Sequence, residues 1–379
     1  MRTVKPTTAA LTTALTVAVA GAAGVAAGRL ASDAALKAEP GRPLPTEPLL
    51  TVHATAAGRV ALTRSLASLR PGVYGLSGDR GHAVVGPLLT GAPHTADTVV
   101  RRLERVTRGT LEPGDKVRLT PAVHTGDPGT ALGLDHTDVE VPGDLGSLPA
   151  WLVPASRDVW VITAHGLGAT REHPMNVMRF LNGLELPVLA LSYRGDAGAP
   201  RSRGGLHHLG ETEWHDLDAA VRFAVRHGAK SVVLHGWSTG ATMALRTAER
   251  SARRDRISGL VLDSPVLDWE ATLRALATAR RTPGPLLPLA VRAAQGRTGL
   301  GTEGLRSAAD PAARLTVPTL VLHGPDDTVA PWGPSRRLAA RRPDLVTLRT
   351  VRDAPHGAMW NADPAAYEEA LRRFLTPLV

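Results

Sequence analysis

From about residue 135 onward, short apolar runs of strand length alternate with longer stretches that have helical periodicity. Chains with this alternation form βαβ units around a mostly parallel sheet, because each parallel crossover needs a helix-length connection. Eight strands are predicted: Asp138–Val141, Ala150–Val153, Val159–Ala164, Pro187–Leu191, Ser231–Gly236, Gly259–Asp263, Thr319–His323 and Val346–Val351. The pattern therefore predicts an α/β domain over residues 135–379.

Helical patterns of suitable length fill the connections between these runs. In the stretch 213–226 the apolar residues recur at helical spacing, at Leu217, Val221 and Val225. Between the sixth and seventh predicted strands, residues of about 267–315 are Arg-rich and helical in pattern. We interpret this stretch as a lid-like insertion in the α/β domain.

Residues 50–134 have a different pattern, in which short apolar runs such as Val73–Leu76 and Ala83–Gly86 are broken by turn signals. This is typical of a small strand-rich module, and no motif in it indicates chemistry. The preceding residues, 31–49, are rich in Pro and Gly and are predicted to be an extended linker.

The N-terminus carries a long uncharged stretch, Pro6–Gly28, composed mostly of Ala, Val, Leu, Thr and Gly. Its length of about 20 residues suffices to span a bilayer as a helix. The basic residues Arg2 and Lys5 precede it, as in export signals. Residues 1–30 are therefore predicted to be a membrane anchor or signal segment, with the domain at 135–379 exported and anchored, or secreted. The alternative is a buried Ala-rich helix.

The chain carries a formal net charge of +9 and contains no cysteine. A positive charge favours acidic partners such as an anionic membrane surface. The arginines are spread along the chain without interleaved aromatic residues, so no nucleic-acid partner is predicted. Without cysteine there is no disulfide, thiol nucleophile or thiolate metal ligand.

The strongest local motif is Gly236-Trp237-Ser238-Thr239-Gly240. It directly follows the apolar run Val232–Leu234 and precedes the helix-compatible stretch Ala241–Arg250. This strand-turn-helix context is the one a nucleophile elbow requires, because a sharp turn exposes the serine oxygen and glycines avoid collisions beside it. Ser238 is therefore the candidate nucleophile.

A serine hydroxyl needs a base to remove its proton and an acid to orient that base. In this architecture the order along the chain is serine, acid, histidine, each after a strand. His356 follows the last predicted strand and is the candidate base. Asp326 and Asp327 follow the seventh strand and compete for the acid role, and Asp263, after the sixth, is a reserve candidate.

Acyl transfer also needs hydrogen-bond donors aimed at the developing oxyanion. The backbone N–H of Thr239 is one candidate, at the start of the helix after the nucleophile. The other is the backbone N–H of Leu167 in the loop His165–Gly168, where glycines let the backbone approach a substrate. His165 is expected to have a structural role within this loop.

The histidine-rich stretch 207–216 could suggest a metal site. Its acidic residues Glu211, Glu213 and Asp216 are better explained as the favourable first turn of a helix. We therefore predict neither a metal ion nor a cofactor.

Taken together, these segments resemble the α/β-hydrolase superfamily over about residues 135–379. The resemblance is to the serine-hydrolase branch that includes serine aminopeptidase-like and monoglyceride-lipase-like hydrolases and esterases. It rests on His165–Gly168, Ser192–Gly195, Gly236–Gly240, Leu262–Pro265, His323–Pro331 and Pro355–Gly357.

The resemblance implies an α/β-hydrolase fold with Ser238 as nucleophile and His356 as base. It also selects Asp327 as the acid, because the acid of such chains stands four residues after the histidine that corresponds to His323. The segment 196–205, with two arginines and a proline, departs from the Gly/Ser-rich pattern that is common there.

The implied function is hydrolysis of carboxylic esters, or related acyl bonds, in a small-molecule or lipid-like substrate. Thioesterases and peptidases use the same triad, so these activities stay open. An alternative of another class is a non-catalytic envelope binding protein on the same fold. The complete set of triad and oxyanion-loop residues argues against that alternative.

Overall fold

The structure is a computed structural model of the 379-residue chain, and it describes residues 24–37, 40–41, 44–300 and 311–379. Most of the predicted anchor, residues 1–23, lies outside the described residues. The two main parts are a closed six-stranded barrel and an eight-stranded sheet flanked by helices.

The barrel consists of antiparallel strands that join in the order β1-β2-β5-β4-β3-β6, with β6 pairing back to β1. The strands are β1 (Leu50–Ala56), β2 (Arg59–Thr63), β3 (Tyr74–Gly78), β4 (Gly81–Leu88), β5 (Thr98–Gly109) and β6 (Lys116–Thr120). Apolar side chains such as Val52, Leu62 and Leu76 fill its interior. Because the barrel is closed, each of its strands pairs on both sides and no edge strand is left unpaired. The predicted strand-rich module is thus confirmed.

A fully buried arginine organises the loop between β2 and β3. The guanidinium of Arg101 donates hydrogen bonds to the carbonyls of Gly86, Ser68, Arg70 and Gly72, at 2.6–3.1 Å. Burial lowers the pKa of Arg101 to about 10, so the side chain still carries its charge at neutral pH. Carbonyl dipoles therefore stabilise the buried cation in place of a carboxylate.

The large sheet has the order β14-β13-β12-β11-β9-β10-β8-β7. Its central strands are parallel, and the β7–β8 hairpin joins antiparallel at one edge, where β8 pairs with β10. The strands are β7 (Thr137–Gly143), β8 (Gly146–Val153), β9 (Val159–Ala164), β10 (Val188–Leu191), β11 (Ser231–Trp237), β12 (Ile257–Asp263), β13 (Thr319–His323) and β14 (Val346–Thr350). Each of the eight predicted strands overlaps one of these, which confirms the α/β architecture.

Helices cover both faces of this sheet. They are α1 (Pro128–Leu132), α2 (Met175–Gly183), α3 (Trp214–Arg226), α4 (Thr239–Arg250), α5 (Trp269–Ala279), α6 (Leu287–Thr298), α7 (Pro311–Arg314), α8 (Trp332–Arg341), α9 (Met359–Ala362) and α10 (Pro364–Leu375). Because helices shield both sides, every residue of β9 and β10 is buried, and these strands are continuous apolar runs rather than alternating ones.

The structure differs from the prediction at the N-terminus. Residues 24–36 form one helix, which crosses the predicted boundary between an anchor and an extended linker. Ala35 and Leu36 are fully buried and pack in one cluster with Trp269, Leu273 and Val291 of the predicted insertion. The linker prediction was wrong for residues 31–36 because the Pro and Gly signals begin only at residue 40. Among the described residues, no helix is both long and apolar enough to cross a bilayer.

The barrel is fixed to the α/β domain through a buried asparagine. The side-chain amide of Asn361, which is fully buried in α9, donates to the carbonyls of Val73 at 2.8 Å and Pro121 at 2.9 Å. The backbone N–H of Val73 in turn donates to the carbonyl of Asn361 at 2.9 Å. Gly72 lies so close that a Cβ there would approach the same carbonyl oxygen to 1.9 Å.

Replacing Asn361 by Ala should therefore destabilise the protein, because the carbonyl of Val73 loses its side-chain donor and that of Pro121 keeps only the amide of Asn176. We expect a loss of about 2 kcal/mol in the free energy of unfolding, measured by chemical denaturation. The matched control is Asn182→Ala, whose more exposed amide donates, among the described residues, to the carbonyl of Pro154 alone, at 2.9 Å. Equal unfolding free energies for the two variants would contradict this account of the domain contact.

Candidate active site

The candidate nucleophile lies at the sharp turn between β11 and α4. Ser238 has φ 54° and ψ −116°, a strained conformation for a residue with a Cβ. Its backbone N–H donates to the carbonyl of Asp263 at 2.8 Å, which ties the turn to the neighbouring strand β12. The surrounding hydrogen bonds thus hold the serine in the geometry of a nucleophile elbow.

The glycines around the turn are required by close approaches. A Cβ on Gly236 would lie 2.3 Å from the backbone of Gly240, and a Cβ on Gly240 would lie 2.0 Å from the carbonyl oxygen of Ala164. A Cβ on Gly166 would lie 2.7 Å from the Cβ of Ser238. Each of these distances is shorter than a normal van der Waals contact, so only glycine fits at these three positions.

The structure brings the three sequence-predicted side chains together. The Nε2 atom of His356 lies 2.7 Å from the Oγ atom of Ser238. The Nδ1 atom of the same ring lies 2.7 Å from Oδ2 of Asp327. His356 follows β14 and Asp327 follows β13, so both loops leave the carboxyl edge of the sheet, where the elbow also lies.

Asp327 is held by four hydrogen bonds, including the one to His356. The N–H groups of Val329 and Ala330 each donate to Oδ1 at 2.8 Å, and Nε2 of His323 lies 3.0 Å from Oδ2. Burial alone would raise the pKa of Asp327, but the charge of His356 and the hydrogen bonds of both histidines hold it far below its ordinary value. Asp327 is therefore ionised throughout the physiological pH range.

The charge of Asp327 acts on the imidazole of His356. Burial alone would lower the pKa of His356, but the charge and hydrogen bond of Asp327 outweigh it, and the pKa is raised above its usual value. Asp263 and Glu47 contribute in the same direction. The site thus stabilises an imidazolium at His356, which is the species that forms when a base takes the proton of serine.

The other candidate acids occupy different positions. Asp326 is exposed, and its Oδ2 accepts the N–H of Asp353 at 2.8 Å. Asp263 is fully buried, its Oδ1 accepts the hydroxyl of Ser264 at 2.8 Å, and burial raises its pKa to about 7. The hydroxyl oxygen of Ser264 in turn accepts the N–H of Gly357 at 2.9 Å. Asp263 therefore contacts the histidine loop through Ser264 and not through the imidazole.

Of the two predicted oxyanion donors, Thr239 directly follows Ser238 in the chain and Leu167 lines the same cavity as Ser238. Within the described residues, neither the N–H of Leu167 nor that of Thr239 donates to a protein acceptor. In His165, Nδ1 lies 2.9 Å from the carbonyl of Gly166 and Nε2 lies 2.8 Å from Oδ2 of Asp196. Although burial opposes protonation, these acceptors raise the pKa of His165. The histidine thus shapes the loop, and the two backbone donors remain available to a substrate oxygen.

The histidine-rich stretch 207–216 is organised by a buried carboxylate. Glu213 accepts the N–H groups of His208 and Gly210 at 2.8 and 3.0 Å and precedes α3. Asp216, in the first turn of α3, forms a two-pronged ion pair with Arg194 at 2.6 and 2.8 Å. In the part of the chain that the structure describes, no three His, Asp or Glu side chains are grouped to hold a metal ion.

A cavity of about 150 Å³ opens beside the serine. Its lining includes the loop 166–170, Ser238 and the His356–Gly357 pair. Gly41, Leu44, Thr46 and Glu47 also line it. A wall of the cavity is formed by residues of the barrel and its exit segment: Ser77, His82, Arg108, Leu119, Thr120, Pro121 and Ala122. The strand-rich module is therefore part of the candidate site.

Sequence reasoning missed this wall. The barrel residues lie more than 100 positions from Ser238 in the chain, and no local motif marks them. The predicted insertion, by contrast, packs beside the site, where Trp269 and Leu276 of α5 share an apolar cluster with Leu167 and Val329. The barrel lines the cavity because of the way it packs on the α/β domain. The sequence contains no short-range motif that would predict this packing.

Comparison with protein families gives two matches. Residues 155–300 match the family described as serine aminopeptidase, S33. Residues 51–120, which correspond to the barrel, match a domain of unknown function, DUF8805. A comparison with curated protein sequences gave no match.

Comparison with solved structures gives esterases and other α/β serine hydrolases. Two crystal forms of the Pyrococcus furiosus esterase Pf2001 superpose with a TM-score of 0.54 at 24% identity, covering 67% and 68% of this chain and 96% and 95% of theirs. The ferulic acid complex of Est1E from Butyrivibrio proteoclasticus follows with a TM-score of 0.49 at 19% identity, covering 63% of this chain and 98% of that one.

The esterase covers about two thirds of this chain and almost all of its own, so the shared part is the α/β domain. The likeness to Pf2001 shows the fold, and the family match over residues 155–300 adds the enzyme class. On these two findings the chain is a hydrolase and belongs to the α/β-hydrolase superfamily.

Proposed function

We propose that the protein hydrolyses carboxylic esters through an acyl-enzyme formed on Ser238. The observation that carries the proposal is the continuous hydrogen-bonded series from Ser238 Oγ to His356 and from His356 to Asp327, with both contacts at 2.7 Å. A serine within hydrogen-bonding distance of a base, and a base oriented by a third group, is the arrangement that activates a hydroxyl nucleophile.

In the first half of the proposed reaction, Ser238 Oγ attacks the ester carbonyl while Nε2 of His356 takes the hydroxyl proton. Asp327 stays ionised and stabilises the resulting imidazolium. His356 then gives the proton to the leaving alcohol, and the acyl group remains on Ser238. In the second half, water attacks the acyl-enzyme with His356 again acting as base, which releases the acid and restores the free serine.

The N–H groups of Leu167 and Thr239 are proposed to bind the oxyanion of each tetrahedral intermediate. This role is supported because both amides lack a protein acceptor within the described residues. In addition, Thr239 directly follows Ser238, and Leu167 lines the same cavity as Ser238. Donors that are fixed in advance, in a site shielded from water, stabilise developing charge more than solvent does. Removing one such donor typically lowers kcat by about 10²- to 10³-fold.

Thioester and amide hydrolysis would use the same groups, and we place esters first because the solved relatives are esterases. A non-catalytic binding protein of the same fold is the second candidate function. It gives no reason for a strained serine at φ 54° to lie 2.7 Å from a buried imidazole, since neither feature is needed to bind a partner.

The experiment that tests the proposal is the pH dependence of p-nitrophenyl ester hydrolysis by the full-length protein. His356 must be unprotonated to act as base, and its pKa is raised. The value of kcat/KM should therefore rise with pH and reach half its maximum above about pH 6.5, the usual pKa of histidine. Hydrolysis that is constant from about pH 5 to pH 9, or absent at all pH values, would contradict the proposal.

A further inference from the structure

The barrel presents a polar row to the candidate active site. Ser77 on β3 pairs in register with His82 on β4, and His82 pairs with Arg108 on β5. Residues directly opposite each other on adjacent strands project on the same face of a sheet. All three line the cavity that contains Ser238, so this row, here called the polar wall, faces the reacting centre.

His82 is fully engaged within the polar wall. One ring nitrogen, Nε2, lies 3.1 Å from the carbonyl of Ala122, and the other lies 2.6 Å from the hydroxyl of Thr107. Burial lowers the pKa of His82, and Arg108 lowers it further, so the ring is neutral at physiological pH. A neutral ring that donates from Nε2 accepts at Nδ1, which satisfies both nitrogens. His82 therefore fixes the geometry of the polar wall.

The neighbours of His82 are free to bind a ligand. Among the described residues, neither the guanidinium of Arg108 nor the hydroxyl of Ser77 has a hydrogen-bond or ion-pair partner within the protein. Arg108 is exposed and Ser77 is half-buried. Together they offer a planar fork of N–H donors and an adjacent O–H donor, which suits an anionic oxygen group.

The carboxylates that line the same cavity are already engaged. Glu47 forms an ion pair with Arg70 at 2.5 Å, and both side chains are largely buried. Glu172 accepts the N–H of Gly126 at 2.8 Å. Glu47 is thus neutralised, whereas Glu172 keeps its negative charge on the side of the α/β domain. Among the described barrel residues that line the cavity, the unpaired charge is the positive charge of Arg108.

We propose that the barrel is a substrate-recognition module, in which Arg108, assisted by Ser77, binds an anionic group on the ester at a distance from the scissile carbonyl. The preferred substrates would then be acidic esters, such as monoesters of dicarboxylic acids. This inference rests on the proposed esterase function, and it assigns a role to the domain of unknown function that covers residues 51–120.

The first test compares esters of matched length. The p-nitrophenyl monoesters of adipate and suberate carry a terminal carboxylate, whereas the hexanoate and octanoate esters are neutral. We expect Arg108→Gln to lower the acidic-to-neutral ratio of kcat/KM by roughly 10- to 100-fold, as expected for loss of a charge-assisted hydrogen bond. Arg108→Lys should retain part of the ratio, because it keeps the charge but loses the planar fork.

The matched control is Arg226→Gln. Arg226 is an exposed arginine at the carboxyl end of α3. It lies shortly before the amino end of β11, whereas Ser238 follows the carboxyl end of that strand. This variant should keep the wild-type ratio. If the acidic-to-neutral ratio of kcat/KM in Arg108→Gln stays within about twofold of the wild-type ratio, the inference is overturned. The proposed esterase function would still stand in that case, provided that the protein hydrolyses the esters.

A second measurement does not depend on turnover. Calorimetric titration of Ser238→Ala with monomethyl suberate should give a dissociation constant that rises by about tenfold or more when Arg108→Gln is added. Equal affinities for the two variants would overturn the inference. Binding that depends on Arg108 in a protein whose wild type hydrolyses no ester would support the recognition site and contradict the proposed function, so the two failures are distinguishable.

Discussion

Replacement of Ser238 by Ala should lower kcat/KM for a p-nitrophenyl ester by roughly 10⁵- to 10⁶-fold, because the covalent route through the acyl-enzyme is lost. Replacement of His356 by Ala should have a similar effect, since an unactivated serine hydroxyl is a poor nucleophile. Residual hydrolysis above the rate in water would come from the oxyanion donors and from binding alone. Steady-state kinetics of the full-length variants provides the measurement.

Two controls separate chemistry from folding in this comparison. Ser258→Ala removes a hydroxyl near the start of β12 that donates to the carbonyl of Val232 at 3.3 Å. His227→Ala removes an exposed imidazole that stacks on Phe223 just after α3. Both controls should keep kcat/KM within about tenfold of wild type, since Ser258 loses one long hydrogen bond to the backbone and the exposed His227 loses a ring contact, and neither side chain lines the cavity. A folded Ser238→Ala variant that retains wild-type activity would rule out the proposed nucleophile.

Replacement of Asp327 by Asn should lower kcat by about 10⁴-fold, because the amide no longer holds the imidazole in the productive tautomer or stabilises its charge. Loss of the carboxylate also removes the main influence that raises the pKa of His356. The acid limb of the pH profile should therefore move to lower pH in this variant. Stopped-flow or steady-state hydrolysis across the pH range measures both effects.

The matched control for this prediction is Asp263→Asn, at the other buried carboxylate near the site. Asp263 accepts a hydrogen bond from Ser264 and none from His356. We expect kcat of Asp263→Asn to fall by about tenfold or less, which corresponds to the free energy of one neutral hydrogen bond. If kcat fell by about 10⁴-fold in Asp263→Asn while Asp327→Asn remained active, the catalytic acid would have to be reassigned to Asp263, at the end of β12.

The sequence was sufficient to predict the elbow and the order of the three candidate residues. Gly236 and Gly240 mark the turn because no Cβ fits there, which is a local requirement that a single sequence can display. The acid was a closer choice, because Asp326 and Asp327 are neighbours. In the structure they differ through the N–H groups of Val329 and Ala330, which point at Asp327. The spacing from His323 selected Asp327 through the family resemblance, but it did not predict these two hydrogen bonds, which are the physical reason for the choice.

The docked parts of the molecule could not be predicted. The contact between the barrel and the α/β domain depends on Asn361, a residue whose two acceptors lie 288 and 240 positions away in the chain. The helix at 24–36 packs Leu36 against α5 and α6, yet its sequence shares the Ala-rich composition of the stretch that precedes it. The amino-acid composition predicts that such a helix is apolar, but it does not predict which part of the protein the helix packs against.

The most direct test of the central claim is covalent labelling of the full-length protein with a fluorophosphonate probe, beside Ser238→Ala and His356→Ala. The probe reacts only with an activated serine, so we predict that the wild type is labelled at Ser238 and that both substitutions abolish labelling. Circular dichroism of the same samples establishes that each is folded. A folded wild-type protein that takes no label, or a Ser238→Ala variant labelled as strongly as the wild type, would contradict the assignment of Ser238 as an activated nucleophile.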